Sequence, residues 1–196
     1  MADQTIPIHG LNGIDRLADK ALPPVHSWHP DTCRDIDMRI DCDGAWHYMG
    51  SPITRQRMVR LFSTILRRDD DERYYLVSPV EKCGITVDDV PFVVIDMQVS
   101  DRGPQQQLRF TTNVGDETTA STERPLRFVA GSAGEHIPYV FVRDRLEARI
   151  GRAVYYDLID RGLVQRHEDA DWFGVWSGGQ FWPIALASDI GAEQTP

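Results

Sequence analysis

The sequence predicts an α+β fold made of two tandem, related, β-rich subdomains, each carrying one main helix, with mostly antiparallel sheets. Three observations predict it. A strand-then-helix unit at Asp43–Arg68 recurs at Ile137–Leu163. Most of the remaining chain consists of short β-branched or alternating runs punctuated by Gly, Pro, Asn and Asp. Strong helical periodicity is confined to the two repeated units, which disfavours an alternating βαβ parallel sheet. The predicted organisation is an arm with a short helix over 1–30, a first subdomain over 31–83, a second over 84–188 and a tail over 189–196.

In chain order, Leu11 to Leu22 carries a weak helical pattern, and Pro23-Pro24 ends it. Asp35 to Asp41 alternates, with Ile36, Met38 and Ile40 on one face, and reads as a half-buried strand. Asp43-Gly44 is a turn that returns the chain along Trp46 to Met49. Ser51 is read as an N-cap and Pro52 as the first residue of a helix whose Met58, Leu61, Phe62 and Ile65 share one face. Arg67 and Arg68 then fall at its C-terminus, where cations are favoured, and the run Asp69 to Glu72 reads as a solvated helix-to-strand turn.

Tyr74 to Ser78 is predicted as a buried strand, Glu81 to Gly84 as a turn, and Phe92 to Val99, the most apolar β-branched stretch, as a central strand. Leu108–Thr112, Glu117–Ser121, Leu126–Ala130 and Tyr139–Val142 follow as strands. In the second unit Asp144 and Glu147 form a capping-box-like pair and Gly162 is a C′ stop. Placing Ile53 on Leu146 brings Leu61, Phe62, Ile65 and Leu66 onto Val154, Tyr155, Leu158 and Ile159. Trp172–Trp176 and Gln180–Ile184 close the chain as a hairpin about Ser177-Gly178-Gly179.

The chain has 196 residues, with 30 acidic against 21 basic side chains and a formal net charge of −9. That balance argues against general nucleic-acid binding, which draws its affinity from clustered cations on phosphate. No apolar run is long enough for a membrane span, and no basic-then-apolar leader is read at the start. Cys33, Cys42 and Cys83 are odd in number and lack C-x-x-C spacing, which suits free thiols and a cytoplasmic setting.

With these segments in hand, the chain resembles the bacterial domain-of-unknown-function family 1285. The resemblance lies in D-G-A-W-H-Y-M-G-S-P-I-T-R, M-V-R-L-F-S-T-I-L-R-R, Y-Y-L-V-S-P-V-E-K-C-G-I-T-V-D-D-V-P-F, I-P-Y-V-F-V-R-D and F-G-V-W-S-G-G, spread from about Trp28 to Pro183. It implies a duplicated core, a second subdomain superficially like a pleckstrin-homology fold, a nucleotide-like ligand between the subdomains and a role in signalling. It implies no established activity.

No motif names a reaction, and neither catalytic residues, metal ligands nor a cofactor are assigned. Ser177 lacks the glycine that a nucleophile elbow needs at Val175. Gly131–Gly134 lacks the Lys-Ser/Thr of a phosphate loop. An EF-hand beginning at Asp69 requires Gly and Glu where the chain has Tyr74 and Val80. His26 and His29 lack a third ligand, so they read as surface histidines.

The ligand-binding candidates are Arg55 and Arg143, near matching strand-to-helix junctions, read either as forks for phosphate or as surface ion pairs. Trp46, Tyr139 and Trp176 lie near strand ends, for packing or for stacking on a base. Glu81, Lys82 and Asp89 sit at the junction of the two units and read either as solvated turn residues or as a site for a polar ligand, the second on the strength of the family resemblance. Three functions compete: a non-enzymatic sensor of a nucleotide-like anion, an enzyme on a phosphorylated metabolite with Glu81 or Asp89 as general base, and a ligand-free adaptor for a signalling protein.

Overall fold

Alternation in Asp35–Asp41 and a turn at Asp43-Gly44 predict a hairpin at the start of the first half, and the computed structural model, which describes residues 22–131 and 136–191, contains it. The predicted helix over Leu11–Leu22 and the Gly131–Gly134 loop lie largely outside the described residues, as does most of the tail. The chain divides into two units. The first runs up to Pro91 and includes Asp144–Leu146, and the second runs from Phe92 to Arg143 and onward from Glu147.

In the first unit a 3₁₀ turn (Val25–Ser27) precedes β1 (Thr32–Ile40), β2 (Trp46–Tyr48), β3 (Ser51–Pro52), α1 (Gln56–Thr64), β4 (Leu66–Arg68), β5 (Tyr74–Val77) and β6 (Glu81–Val87). The strands form one sheet in the order β3-β2-β1-β6-β5-β4, antiparallel except where β1 runs parallel to β6. Asp41 Oδ1 accepts the amides of Asp43 and Ala45, and this fixes the turn that sets Ile40 opposite Trp46. Trp46, Phe62, Ile65, Leu66 and Leu76 make the core, each at most 1% exposed.

Three local expectations are corrected here. Glu81 to Gly84 is not a turn but the start of β6, where Lys82, Cys83 and Gly84 pair with Val77, Leu76 and Tyr75 and Glu81 pairs with Thr32. Ser51-Pro52 does not open the helix: Met49 and Gly50 both take positive φ (48° and 75°), and that turn folds Ser51-Pro52 back on β2 as an edge strand, where Pro is tolerated. The helix begins at Gln56 behind Arg55, with no side-chain cap. At its far end the Ser63-Thr64-Ile65 run disfavours further helix, so Leu66 pairs with Leu76 in β4 and is not the helical counterpart of Ile159.

In the second unit β7 (Phe92–Ser100) leads through a 3₁₀ turn (Gly103–Gln105) to β8 (Gln107–Thr112), β9 (Glu117–Thr119), β10 (Leu126–Ala130), β11 (His136–Arg143) and β12 (Leu146–Ile150). Next come α2 (Arg152–Ile159), β13 (Leu163–His167), β14 (Ala170–Ser177), β15 (Gln180–Leu186) and the short α3 (Ala187–Gly191). One sheet has the order β10-β11-β12-β7-β8-β9, so Phe92–Ser100 is an interior strand as predicted. The sheet curls until Thr118 of β9 donates to the carbonyl of Phe141 in β11 at 2.9 Å, giving the superficially pleckstrin-homology-like arrangement. β13-β14-β15 form a second sheet.

The capping box at Asp144 and Glu147 is replaced by a turn and a strand. Asp144 and Arg145 take φ of 49° and 67°, and Leu146, Ala148 and Ile150 are buried in a period of two. The helix starts after Gly151, where a Cβ would meet the Val94 carbonyl at 2.7 Å. Gly162 is not a left-handed stop either: a Cβ there would sit 2.1 Å from Phe173 Cζ, so the position serves close packing. A hairpin, a helix and a three-strand antiparallel meander nonetheless occur in that order in both units.

Ser177 is structural. Fully buried, its hydroxyl donates to the Ala120 carbonyl (2.8 Å) and accepts the Leu108 amide (2.9 Å). Ser177→Ala strips both buried backbone groups of their partner and is expected to lower stability by about 1–3 kcal/mol, read as a reduced urea midpoint with unchanged slope.

Candidate functional site

The run R-R-D-D-D at Arg67–Asp71 follows the short strand β4, which drives alternate side chains to opposite faces. Arg67 turns inward, its side chain 10% exposed, and spreads its donors over three partners. Nη1 reaches the carbonyls of Val25 (2.7 Å) and Trp28 (2.9 Å), while Nε and Nη2 fork onto Asp69 at 2.6 and 3.2 Å. The 3₁₀ turn carrying His26 is thereby tied to β4. Asp69 also accepts Lys82 Nζ at 2.8 Å, so one carboxylate joins β4 to β6.

Burial pushes the Asp69 carboxyl up, but hydrogen bonds and charge from Arg67 and Lys82 outweigh it and hold the group below its ordinary value. Lys82 lies 4.0 Å from the centroid of the Tyr75 ring, with Arg73 at 5.4 Å. The Tyr75 hydroxyl donates to Asp71 at 2.6 Å, and this bond, helped by burial, pushes the phenol up to about 12.

These groups border an open cavity of about 530 Å³ within the first unit, lined by His26, His29, Arg67–Asp71, Asp144 and Arg145. Its walls are braced by ion pairs. His26 Nε2 meets Asp144 at 3.1 Å, and Arg145 bridges Asp70 and Glu72. Arg68 binds Glu72 through Nη2 and lies over the Tyr74 ring, but its buried Nε has no hydrogen-bond partner among the described residues. Asp69 to Glu72 is thus a strand-to-strand turn with a half-buried ionic hub at its first residue. Among the described residues no group of three or more His, Cys, Asp or Glu is arranged to hold a metal ion. None of their helices is long and apolar enough to cross a membrane.

Of the eight residues singled out in the sequence, only Lys82 touches this network directly. Glu81 points to the other side of β6, buried, with Arg34 Nε at 3.2 Å. Trp46 is 1% exposed and stacks on Phe62, so it has no face for a ligand. Arg55 precedes α1 at the surface, and Asp89 is half-buried in the loop before β7.

The remaining three lie in the second unit. Tyr139 is buried beneath Arg127, 4.3 Å from the ring centroid. Arg143, its side chain 11% exposed, pairs with Asp116 and covers Phe92. Trp176 donates to Gln165 and packs on Phe181. The cysteines are free thiols: Cys33 and Cys42 are exposed, and burial pushes the Cys83 thiol up to about 11. Arg67, Arg68, Asp69 and Arg145 were not among the sequence candidates. The one local signal for the first three is the block of opposite charges that precedes the Tyr74-Tyr75 strand; Arg145 has none.

Comparison with known families finds two matches. The N-terminal domain of a domain of unknown function, DUF1285, matches residues 23–90, and the C-terminal domain of the same family matches residues 91–184. No curated protein matches the chain. Among solved structures, a DUF1285 family protein from Silicibacter pomeroyi is 48% identical with a TM-score of 0.81, over 91% of this chain and 98% of that one. A second, from Shewanella baltica, is 26% identical with a TM-score of 0.51, over 64% of this chain and 92% of that one.

Proposed function

This chain belongs to the DUF1285 family, and from that premise we propose that it is a non-enzymatic small-ligand protein that takes a nucleotide-like anion in the first unit's cavity and acts in signal transduction. The signalling role rests on the family resemblance. The binding role rests on one observation: Arg68, in the wall of a cavity of about 530 Å³, keeps a buried guanidinium donor without a partner among the described residues. A buried donor of that kind is costly to leave unmet, and a turn of the guanidinium toward the cavity lets a phosphate or carboxylate oxygen meet it with a charge-assisted bond. Arg145, His26 and His29 stand around the same space and add donors for further oxygens. Glu81 is engaged by Arg34 and buried, which disfavours its use as a general base on a metabolite.

The test is a thermal-shift and calorimetric screen of the whole chain against nucleoside triphosphates and cyclic dinucleotides, with and without Mg²⁺. Ligand at a hundredfold excess over its Kd is expected to add about 2.7 kcal/mol, an upward shift of about 5–10 °C for a chain of this size. The shift should vanish in Arg68→Gln and persist in Arg143→Gln. Silence across the whole panel overturns the nucleotide reading.

A further inference from the structure

The second unit holds a separate cavity of about 430 Å³, within the size range of small-molecule sites. Met97 and Val99 of β7 form an apolar wall; Asp101 and Arg102 come from the loop that follows, and Asp157 and Arg161 from the end of α2. Gln106 completes the lining. Among the described residues neither guanidinium carries a hydrogen bond or ion pair, although two carboxylates line the same space. Exposed arginines elsewhere are of both kinds: Arg39, Arg73 and Arg127 pair with carboxylates, while Arg57, Arg60 and Arg124 do not among the described residues; what distinguishes Arg102 and Arg161 is that they share one cavity with two carboxylates.

Gln106 is the second, independent sign of a ligand. It is 7% exposed and held rigidly, with its amide nitrogen donating to the Trp176 carbonyl at 2.8 Å, its backbone N–H to Gly103 and its own carbonyl accepting Gly178. Nε2 is identified by that carbonyl acceptor, so the atom left over is Oε1, an acceptor with no partner among the described residues. Asp101 alongside it has φ of 61°, a turn conformation that Asp adopts more readily than most residues and that carries the chain out of β7 at the cavity edge.

We propose that this cavity binds a small amphipathic zwitterion of the α-amino acid class, with its carboxylate on Arg102 and Arg161, its ammonium toward Asp101, Asp157 and Gln106 Oε1, and its side chain against Met97 and Val99. Selection follows from the mixed lining. Asp69, Asp70, Asp71 and Asp144 in the first unit's cavity are each paired, whereas Asp101 and Asp157 have no partner among the described residues. A simple anion therefore meets two uncompensated carboxylates, a simple cation meets two guanidinium groups, and only a ligand bearing both charges satisfies the wall. The inference uses the second unit alone and stands or falls independently of the nucleotide reading.

Calorimetry on the whole chain tests it, with L-leucine and L-methionine as probes, and isocaproate and leucinamide as analogues lacking the ammonium or the carboxylate. Both probes are expected to bind, each analogue at least about tenfold more weakly than leucine, and Arg102→Gln and Arg161→Gln each to lose at least about tenfold in affinity. Both arginines are exposed and unpartnered among the described residues, so far-ultraviolet spectra of the variants should match the parent. Arg68→Gln should leave leucine binding unchanged. Absence of heat for both probes at millimolar concentration, an analogue binding as tightly as leucine, or an unchanged affinity in either cavity arginine variant overturns the proposal.

Discussion

Trp46→Ala is expected to destabilise the protein by about 3–5 kcal/mol, the range for emptying a large aromatic from a packed core. Trp46 is 1% exposed, stacks on Phe62 with centroids 6.1 Å apart and stands opposite Ile40 in the β1–β2 register. Alanine therefore removes the side chain that joins the β1–β2 hairpin to α1. Its indole Nε1 is buried without a partner among the described residues, so phenylalanine deletes an unmet donor along with the lost volume. Trp46→Phe should consequently cost much less than Trp46→Ala. Urea unfolding followed by far-ultraviolet circular dichroism measures both, and near-equal midpoints for alanine and phenylalanine would show that Trp46 is not a packing residue. Neither substitution removes a ligand contact, so any nucleotide shift should survive in Trp46→Phe.

The elements that were legible in the sequence are those whose signal is local. Met38 and Ile40 alternate with exposed neighbours, Asp43-Gly44 and Gly178-Gly179 carry residues suited to positive φ, and Leu126–Ala130 is bounded by turn chemistry; each forms the predicted element. The local signal misleads where a turn lacks glycine at a key position. Met49, Asp144 and Arg145 all have positive φ, yet the residues around them match the pattern of a helix start at both hairpin turns. In Leu146–Ile150 the period of two competes with an apparent capping box, and the strand wins.

The first unit's cavity was illegible for a different reason. Arg67 and Arg68 at the end of a periodic run look like cations at a helix C-terminus. What makes Arg67 a brace is a pair of carbonyls about forty residues away, at Val25 and Trp28, and no local pattern encodes that distance. Trp46, Tyr139 and Arg143 were recognisable as unusual residues near strand ends, but composition cannot say whether an aromatic or a guanidinium ends up facing solvent or another side chain.

Asp69→Asn is expected to cost a similar amount, about 3–5 kcal/mol near neutral pH, by a different mechanism. The substitution leaves Arg67, 10% exposed, and Lys82, 22% exposed, without their shared countercharge. The double variant Arg67→Met/Asp69→Leu should recover part of the loss, since a well-packed apolar pair can replace a buried ion pair; the Val25 and Trp28 carbonyls then lack their donor, which limits the recovery.

Acidity separates this mechanism from a simple packing defect. The folded Asp69 carboxyl lies below its unfolded value, so its contribution is fully present above about pH 4 and is lost as pH falls through the folded value. The stability gap between the parent and Asp69→Asn should thus be flat from neutral pH down to about 4 and shrink below it. Urea midpoints measured from about pH 7 to pH 3 read that gap directly. A gap below about 1 kcal/mol at neutral pH, or one that stays constant into acid, would mean that Asp69 is not the ionic hub joining β4 to β6.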